Sequence, residues 1–211
     1  MGTGPARHNA PVTAMQTAAP GVPAEGTRAR VERAALDLFS LRGFEQVTTD
    51  EVADAAGISR RTFFRYFATK ADAVWGDFAV HVARLEELLA GTAPDRPVLA
   101  SVCASYVEVN DYAAAELPLL RERMLLILTE PALLAHSQLR YAEVDRVVAR
   151  YVADRTAAGA TDLVPRLVAA TTRAAATTAF QAWLSDERSS LGAQLREAFD
   201  QLTAGFPSLS T

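Results

Sequence analysis

Between residues 27 and 204 the apolar side chains recur at intervals of three and four residues, and this spacing most constrains the fold. It places the apolar residues of each segment on one face of an α-helix. No run shows the sustained alternation of apolar and polar residues that a half-buried strand requires. Abundant alanine also favours helix. We therefore predict an all-α protein of about nine helices, spanning roughly residues 27–42, 48–56, 60–66, 69–90, 97–115, 118–129, 131–158, 161–186 and 189–204.

Interruptions of this pattern predict the domain organisation. Residues 1–25 are rich in Ala, Pro, Gly and Thr and lack both a helical period and the apolar stretch of a signal peptide, so we expect a flexible tail. Residues 26–72 contain three short predicted helices and are expected to form a small N-terminal domain. Residues 73–211 are expected to form a larger helical domain, with a break between regions at GTAPDRP, residues 91–97.

The composition excludes several classes of function. No stretch reaches the roughly 18 consecutive apolar residues of a membrane span, so we predict a cytoplasmic protein without membrane contact. The single cysteine, Cys103, excludes an internal disulfide. The three histidines are far apart in the sequence and there is no Gly-rich phosphate loop. We therefore predict no metal site, no cofactor and no enzymatic activity.

Two short predicted helices are joined by A-A-G-I-S, residues 55–59, an arrangement that is typical of a helix-turn-helix. Before them, T-T-D-E at residues 48–51 predicts a capping box in which Thr48 and Glu51 each bond to the other's backbone N–H group. Ser59 is expected to cap the second of the two helices. The segment therefore predicts a small, tightly turned unit of the kind that places a helix in DNA.

The second helix of this unit mixes cations with aromatics, although the whole chain has a formal net charge of -4. Because Phe63 and Phe67 are four residues apart, we expect both to point into the core. The N-terminal residues of a recognition helix enter the major groove, so outward residues here predict contacts with DNA. The predicted DNA-binding residues are Thr48, Thr49, Ser59, Arg60, Arg61, Thr62, Phe64, Tyr66 and Lys70.

Several of these side chains suit a particular contact with double-stranded DNA. Arg60 and Arg61, expected to be free of ion pairs within the protein, can each bond guanine in a bidentate manner. Phe64 can touch a thymine methyl group, and the Tyr66 hydroxyl can bond a phosphate. Lys70 is expected in the first turn of the fourth helix, where its ammonium and the adjacent N–H groups can hold a backbone phosphate. The two threonines at the start of the second helix are predicted to hold another.

A solvated charged face with ordinary core aromatics is the alternative interpretation of this stretch. A related alternative is a helical architectural or interaction protein that binds DNA without sequence preference. Specific binding should survive competitor DNA, whereas binding through phosphates alone should not. The ordered set of capping box, A-A-G turn, Ser cap and T-F-F-x-Y-F favours a recognition helix.

Residues 27–75 resemble the DNA-binding domain of the TetR family of bacterial transcriptional regulators, through the segment TTDEVADAAGISRRTFFRYFATKADAV. The resemblance implies a helical homodimer that binds DNA through three N-terminal helices and a small inducer through a larger C-terminal domain. Phe64 departs from the pattern, because the family usually has tyrosine there, and the hydrogen bond of that phenol is absent. The segments RTFFRYFATKADAVWGDF and RERMLLILTEPALLAHSQLRYAEV are similar to regulators attached to mycofactocin biosynthesis clusters.

The last two predicted helices, eight and nine, are expected to form a homodimer interface. Residues 169–179 are crowded with Ala and Thr, whose small side chains let two helices approach closely. A palindromic operator needs two recognition helices about 34–36 Å apart, which favours a dimer. The alternative is that the apolar face of the last helix is buried within one subunit. That face consists of Leu191, Leu195, Ala198, Phe199 and Leu202.

Apolar and aromatic side chains of the fourth to eighth predicted helices predict a cavity for a small, largely apolar inducer, with an ordinary core as the alternative. An acyl-type ligand with an acidic or thioester head near Arg121 or Arg123 would suit these residues. We expect ligand to favour a dimer with wrongly spaced recognition helices and so to release a repressor, with the fourth helix as the link. The predicted ligand-binding residues are Trp75, Phe78, Tyr106, Asn110, Arg121, Met124, Ile127, Leu128, His136, Tyr141, Phe180 and Trp183.

Overall fold

The computed structural model of the chain describes Met1 and residues 26–206, and these residues form an all-helical fold. The tail predicted for residues 1–25 lies almost entirely outside the described residues. The described part contains ten helices, one more than we predicted from the sequence. They are α1 (Thr27–Arg42), α2 (Thr49–Ala55), α3 (Arg60–Tyr66), α4 (Asp72–Trp75), α5 (Phe78–Ala90), α6 (Val98–Val109), α7 (Leu117–Thr129), α8 (Pro131–Thr156), α9 (Leu163–Ser185) and α10 (Leu191–Ala204).

The first four helices surround a small core. α2 begins with the predicted capping box, in which the Thr48 side chain accepts from the Glu51 N–H group and the Glu51 carboxylate accepts from the Thr48 N–H group. The turn to α3 uses Gly57 at φ +66°, a conformation that favours glycine. Phe63 and Phe67 are buried in this core, as predicted. Because α7 and α8 also contribute side chains to it, the first four helices pack directly onto the larger helical region.

The predicted long helix from residue 69 to residue 90 is wrong, because the chain breaks at Gly76 into α4 and α5. Gly76 has φ +62° and ψ -142°, which a residue with a side chain rarely adopts. Its carbonyl accepts a hydrogen bond from Arg28 Nη2 at 2.9 Å. The apolar spacing continues across the break, so the helical pattern itself gave no sign of it. The expected continuous helical link from Lys70 into the larger region is therefore absent.

The remaining helices form a bundle in which α8 and α9, the two longest, pack against each other and α10 packs against α9. α6 ends at Val109 rather than near residue 115, since the Asn110 side chain donates to the Tyr106 carbonyl at 2.8 Å and closes the helix. α8 ends through Ala157 in the left-handed region, and not at Gly159 as the sequence suggested. Within the described part of the chain, no helix combines the length and apolarity that a membrane crossing needs.

The apolar face of α10 is buried within the subunit, which is the alternative that we had disfavoured. Leu191, Leu195 and Phe199 are all buried, and the Phe199 ring lies 5.6 Å from the ring of Tyr106 in α6. Ala198 and Leu202 pack against the same core. A contact between two copies of the chain would therefore use other residues of α9 and α10.

Candidate DNA-binding surface and ligand cavity

The predicted DNA-binding residues, except Lys70, belong to α2, α3 and the residues that cap them. The Ser59 hydroxyl accepts from the Thr62 N–H group at 3.1 Å and so fixes the start of α3. Arg61, Phe64 and Arg65 are exposed, and with Thr62 they line a shallow concave surface. Side chains that can bond bases or phosphates are thus presented along one face of a short helix, as recognition of the major groove requires.

Arg60 is not free of ion pairs, contrary to our expectation. Its Nη1 atom donates to both carboxylate oxygens of Asp50 in α2, at 2.8 and 2.9 Å, and its guanidinium lies 5.3 Å from the centre of the Phe64 ring. The two charged side chains are 62% and 56% exposed. Ion pairs this exposed contribute about 0–1 kcal/mol, so DNA can displace Asp50. Arg61 has no ion pair among the described residues.

The start of α2 is held by the Glu51 carboxylate. Thr48 donates to it through its N–H group at 2.8 Å and through its hydroxyl at 2.9 Å, and Arg42 donates at 2.7 Å. These hydrogen bonds, of which the one from the Thr48 backbone is the largest cause, lower the pKa of Glu51 to about 2. The Thr48 hydroxyl is thus committed to the capping box, whereas Thr49 is half-buried at the first position of α2.

Lys70 lies in the turn before α4 and not in a helical first turn. Its ammonium donates to the backbone carbonyls of Phe44 and Val47, at 2.8 and 3.0 Å, and lies 4.2 Å from the centre of the Phe44 ring. Two of its three N–H donors are therefore used to hold the loop between α1 and α2. Tyr66 is half-buried, and its hydroxyl accepts from Arg65 Nη2 at 3.4 Å.

A cavity of about 480 Å³ lies among α4 to α9, in the size range of small-molecule sites. Its wall is mainly apolar and aromatic, and it contains eight of the twelve residues that we predicted to bind ligand. These are Trp75, Phe78, Tyr106, Asn110, Met124, Ile127, Tyr141 and Phe180.

The other four predicted residues lie outside the cavity wall. Arg121 points to the end of α9, where it donates to the Leu184 carbonyl at 3.2 Å and covers the ring of Trp183. His136 lies beside Asp72 and serves a structural contact. Leu128 packs against both hydrophobic cores. Arg123, the alternative to Arg121 as the head-group residue, does line the cavity.

Several polar residues of the cavity wall were not predicted from the sequence. His81 and Arg84 follow Phe78 at three-residue intervals on α5, and this spacing would have indicated a shared face had the start of α5 been known. Burial lowers the pKa of His81 and so keeps its imidazole neutral near pH 7. Tyr112, whose hydroxyl lies 3.5 Å from His81 Nδ1, and Arg173, which pairs with Asp145, are two further polar residues of the wall.

Three buried polar atoms of the cavity residues have no hydrogen-bond partner in the described part of the chain. They are Trp75 Nε1, the Tyr106 hydroxyl and Arg123 Nε. Burial raises the pKa of Tyr106 far above its ordinary value, so its hydroxyl is a neutral donor and acceptor. Unpaired buried polar groups are costly, and they are natural positions for the polar atoms of a bound molecule. No group of three metal-ligating side chains occurs within residues 26–206.

Two family models match the chain. One, described as bacterial regulatory proteins of the tetR family, matches residues 33–73, and the other, the MftR C-terminal domain, matches residues 96–207. The proposed mycofactocin biosynthesis transcriptional regulator MftR of Mycobacterium tuberculosis is 39% identical over 83% of this chain and 89% of its own length. The HTH-type transcriptional regulator TcmR of Streptomyces glaucescens is 30% identical over 74% of this chain and 73% of its own.

Solved structures with much lower sequence identity share the fold. FadR of Thermus thermophilus in complex with lauroyl-CoA superimposes with a TM-score of 0.55 at 22% identity, covering 83% of this chain and 93% of that one. FadR of Bacillus subtilis in complex with stearoyl-CoA gives 0.60 at 17% identity, covering 83% and 97%.

The matched family and these two relatives are described as transcriptional regulators and not as enzymes. The N-terminal match spans the helix-turn-helix, and the C-terminal match spans most of the bundle that forms the cavity. The chain belongs to the TetR family of bacterial transcriptional regulators, with a C-terminal domain of the MftR type.

Proposed function

We propose that the protein is a ligand-responsive repressor that binds a palindromic operator as a homodimer in the cytoplasm and is released by a small, largely apolar, acyl-type molecule. Residues 26–72 would form its DNA-binding domain and residues 73–211 its ligand-binding and dimerisation domain. The observation that carries the proposal is the apolar cavity of about 480 Å³. Trp75 of its wall belongs to α4, and α4 shares a core with α1, α2 and α3.

The outer face of α3 supports sequence-specific binding to DNA. Arg61 is exposed without an ion pair among the described residues, and Arg60 can exchange its exposed carboxylate partner for a guanine edge. Thr48, Thr49, Ser59, Tyr66 and Lys70 would then orient the helix on the phosphates rather than read bases.

The outer face of α9 supports a homodimer. Leu163 and Leu167 are 78% and 53% exposed although both are apolar. Small or uncharged exposed residues continue the same helical stripe toward the end of α9, namely Ala170, Ala174, Thr178 and Gln181. A partner helix could approach this stripe closely, and a two-fold axis there would duplicate α3 for the two halves of a palindrome.

The cavity wall supports an acyl-type ligand. Apolar and aromatic side chains dominate it, and cationic groups such as Arg123 and Arg173 also line it, which suits an apolar chain with a polar end. The two FadR proteins that share the fold were solved with lauroyl-CoA and stearoyl-CoA. A long acyl chain is therefore the first ligand class to test.

Ion pairs connect the cavity region with the DNA-binding unit. Asp72 of α4 pairs with His136 and Arg140 of α8, and Glu32 of α1 pairs with Arg123 of α7 at 3.2 Å. A ligand that binds one arrangement of these helices more tightly than another shifts the population between them, whereas equal affinity would shift nothing. The dimer is then released from DNA, because the two α3 helices of the favoured arrangement are wrongly spaced for the operator.

The test is a selection of bound sites from random DNA, followed by titration of the selected site with acyl probes. We expect a palindrome whose half-sites are about 10 base pairs apart, centre to centre, and weaker binding when a twelve-carbon acyl-CoA is present. A site without two-fold symmetry would contradict the homodimeric mode of binding. DNA affinity that no acyl probe changes would contradict the ligand class.

The Arg60–Asp50 ion pair favours one second candidate, a DNA-binding protein without sequence preference and without an inducer. A carboxylate held against a base-reading arginine weakens the contact on which sequence recognition depends. Competition with unrelated DNA at increasing salt separates the two functions. Complete loss of binding under those conditions would favour the second candidate.

A further inference from the structure

Two buried N–H donors of the cavity wall have no acceptor among the described residues. Trp75 is 6% exposed, and its indole Nε1–H is unpaired. The Arg123 side chain is 19% exposed, and its Nε–H is unpaired as well. An indole N–H can only donate, and the same is true of a guanidinium, so each needs an oxygen or another acceptor.

The Trp75 backbone and the Arg123 guanidinium both lie at the corner that Gly76 makes between α4 and α5. Gly76 follows Trp75 directly in the chain, and a Cβ atom at position 76 would lie only 2.3 Å from Nη1 of Arg123. The missing side chain thus lets the guanidinium of α7 pack against the backbone beside Trp75. Two residues from distant parts of the sequence, each with an unpaired donor, are thus both part of the cavity wall.

The charge at this corner also favours an acceptor. Glu32 is shared between Arg123 Nη2 at 3.2 Å and Arg28 Nε at 3.0 Å, so one carboxylate faces two guanidinium groups. Arg173 and Arg84, the other cations of the wall, have carboxylate partners of their own, which are Asp145 at 2.8 Å for Arg173 and Glu87 and Glu108 for Arg84. The carboxylate of Glu116 accepts from the Ala113 N–H group at the cavity edge.

We propose that Trp75 Nε1 and Arg123 Nε form a head-group subsite for the acyl oxygen of the ligand, and that Glu32 transmits its occupation to α1. The inference rests on the proposed function, and it adds the position of the polar end and the residue that couples it to DNA binding. An oxygen bound at Arg123 shares the guanidinium charge with Glu32 and weakens the tie between α7 and α1. A free carboxylate and a thioester carbonyl both supply this oxygen.

The subsite is tested by Trp75→Phe, which removes the N–H donor and retains a large ring. The matched control is Trp183→Phe, because Trp183 is the only other tryptophan and lies outside the cavity wall. The probes are a twelve-carbon fatty acid, its coenzyme A thioester and the twelve-carbon alkane, measured by calorimetry. We expect Trp75→Phe to weaken the two oxygen-bearing probes about threefold to tenfold while the alkane binds unchanged.

Arg123→Met provides an independent variant, with Arg121→Met of the same helix as its control. We expect Arg123→Met to reduce affinity for both oxygen-bearing probes more strongly than Trp75→Phe does, since hydrogen bonds from a charged group are stronger. A larger loss for the fatty acid than for the thioester identifies a carboxylate as the natural head, and an equal loss identifies a carbonyl. Losses that extend equally to the alkane would show a general defect of packing and overturn the subsite.

Transmission through Glu32 is tested by Glu32→Gln, with Glu86→Gln as control because Glu86 forms an exposed pair with Arg150 on α8. The ratio of DNA affinities without and with the acyl probe should fall toward one in Glu32→Gln and stay unchanged in the control. An unchanged ratio in Glu32→Gln would overturn the role of Glu32. If no probe binds the unmodified protein, the ligand class of the proposed function is itself wrong, and the subsite is rejected with it.

Discussion

At the scale of single residues, the proposed DNA-binding surface is shaped by contacts that the cations make within the protein. Arg60 faces Asp50 and Lys70 faces two backbone carbonyls, whereas Arg61 has no ion pair among the described residues. These three cations lie in one short segment, but they therefore differ in how readily they can contact DNA. The capping residues and buried rings of this segment were predictable from spacing alone, but these long-range contacts were not, because they join α3 and the turn after it to α2 and the α1–α2 loop.

The Arg60–Asp50 pair predicts that Asp50→Asn strengthens binding to DNA. The change removes a negative charge from the DNA-facing side and releases Arg60 for bases or phosphates. Affinity for the selected site, measured by fluorescence anisotropy at two salt concentrations, should rise severalfold. Asp54→Asn removes an equal charge from the same helix without an arginine partner, and a rise of the same size there would reduce the effect to net charge alone.

The contacts of Lys70 predict a loss of stability rather than only a loss of DNA affinity. Lys70→Met removes two charge-assisted hydrogen bonds to the loop between α1 and α2, and the free energy of unfolding should fall by about 2 kcal/mol. Urea denaturation followed by circular dichroism measures this. The exposed cation Arg65 is the comparison, and Arg65→Met should weaken DNA binding with unfolding unchanged. If the free energy of unfolding of Lys70→Met is unchanged, Lys70 does not stabilise the fold, and binding of a DNA phosphate would be its only role.

At the scale of the helices, sequence reasoning succeeded where a local signal existed. The capping box at Thr48 and the cap at Ser59 define the starts of α2 and α3 in both the prediction and the structure. It failed at Gly76, because the apolar stripe continues across the break in the helix. Arg28 and Arg123 contact the chain at this break, and the sequence pattern does not show these contacts. It also did not show whether the apolar face of α10 is buried within the subunit or in a dimer interface, since a helical stripe does not show which partner covers it.

The conformation of Gly76 predicts that Gly76→Ala is destabilising. A side chain there is strained at φ +62° and collides with the Arg123 guanidinium, so stability should fall by about 1–3 kcal/mol. Gly192→Ala makes the same chemical change inside α10, where the new methyl group meets only the flexible end of Arg196 at 3.4 Å. That control should gain about 0.5–1 kcal/mol. Thermal unfolding of both variants compares them, and equal melting temperatures would contradict the strained corner.

The link between α4 and α8 predicts a dependence on acid. Burial opposes ionisation of Asp72, but hydrogen bonds from Arg140 and Thr69 outweigh it and lower the pKa of Asp72 below its ordinary value. The stabilisation by this carboxylate is therefore complete above the ordinary pKa of aspartate and is lost as the pH falls through the lowered value. The difference in stability between the unmodified protein and Asp72→Asn should be large at pH 7 and should shrink toward pH 3. A difference that stays constant with pH would exclude this carboxylate as the cause.

At the scale of the whole molecule, one core joins the first four helices to α7 and α8, and a second core fills the bundle. The cavity lies between these two cores, with Trp75 and Ile127 in the wall and also in the first of them. A molecule bound there touches both. The all-helical class and seven apolar or aromatic residues of the cavity wall were predictable because apolar spacing reports burial, whereas most polar residues of the wall required the three-dimensional arrangement.

The exposed stripe of α9 predicts that Leu167→Arg dissociates a homodimer. A charged side chain at the centre of a small-residue helix contact cannot be buried without a partner. Sedimentation velocity should show a shift from dimer to monomer, with helicity unchanged by circular dichroism. Leu139→Arg on α8 is the control, since Leu139 is also largely exposed but is not part of the α9 stripe. A dimer that survives Leu167→Arg intact would place the interface elsewhere.

Lys70 is the only lysine of the chain, and this gives its position in the turn before α4 a practical consequence. Reagents that acylate primary amines find a single side-chain target, and that target is tethered between two carbonyl oxygens. Its rate of modification therefore reports how often this turn opens. We would compare this rate of modification with and without acyl-CoA. A faster rate with acyl-CoA would show that a ligand in the cavity loosens the contact between Lys70 and the loop that joins α1 and α2.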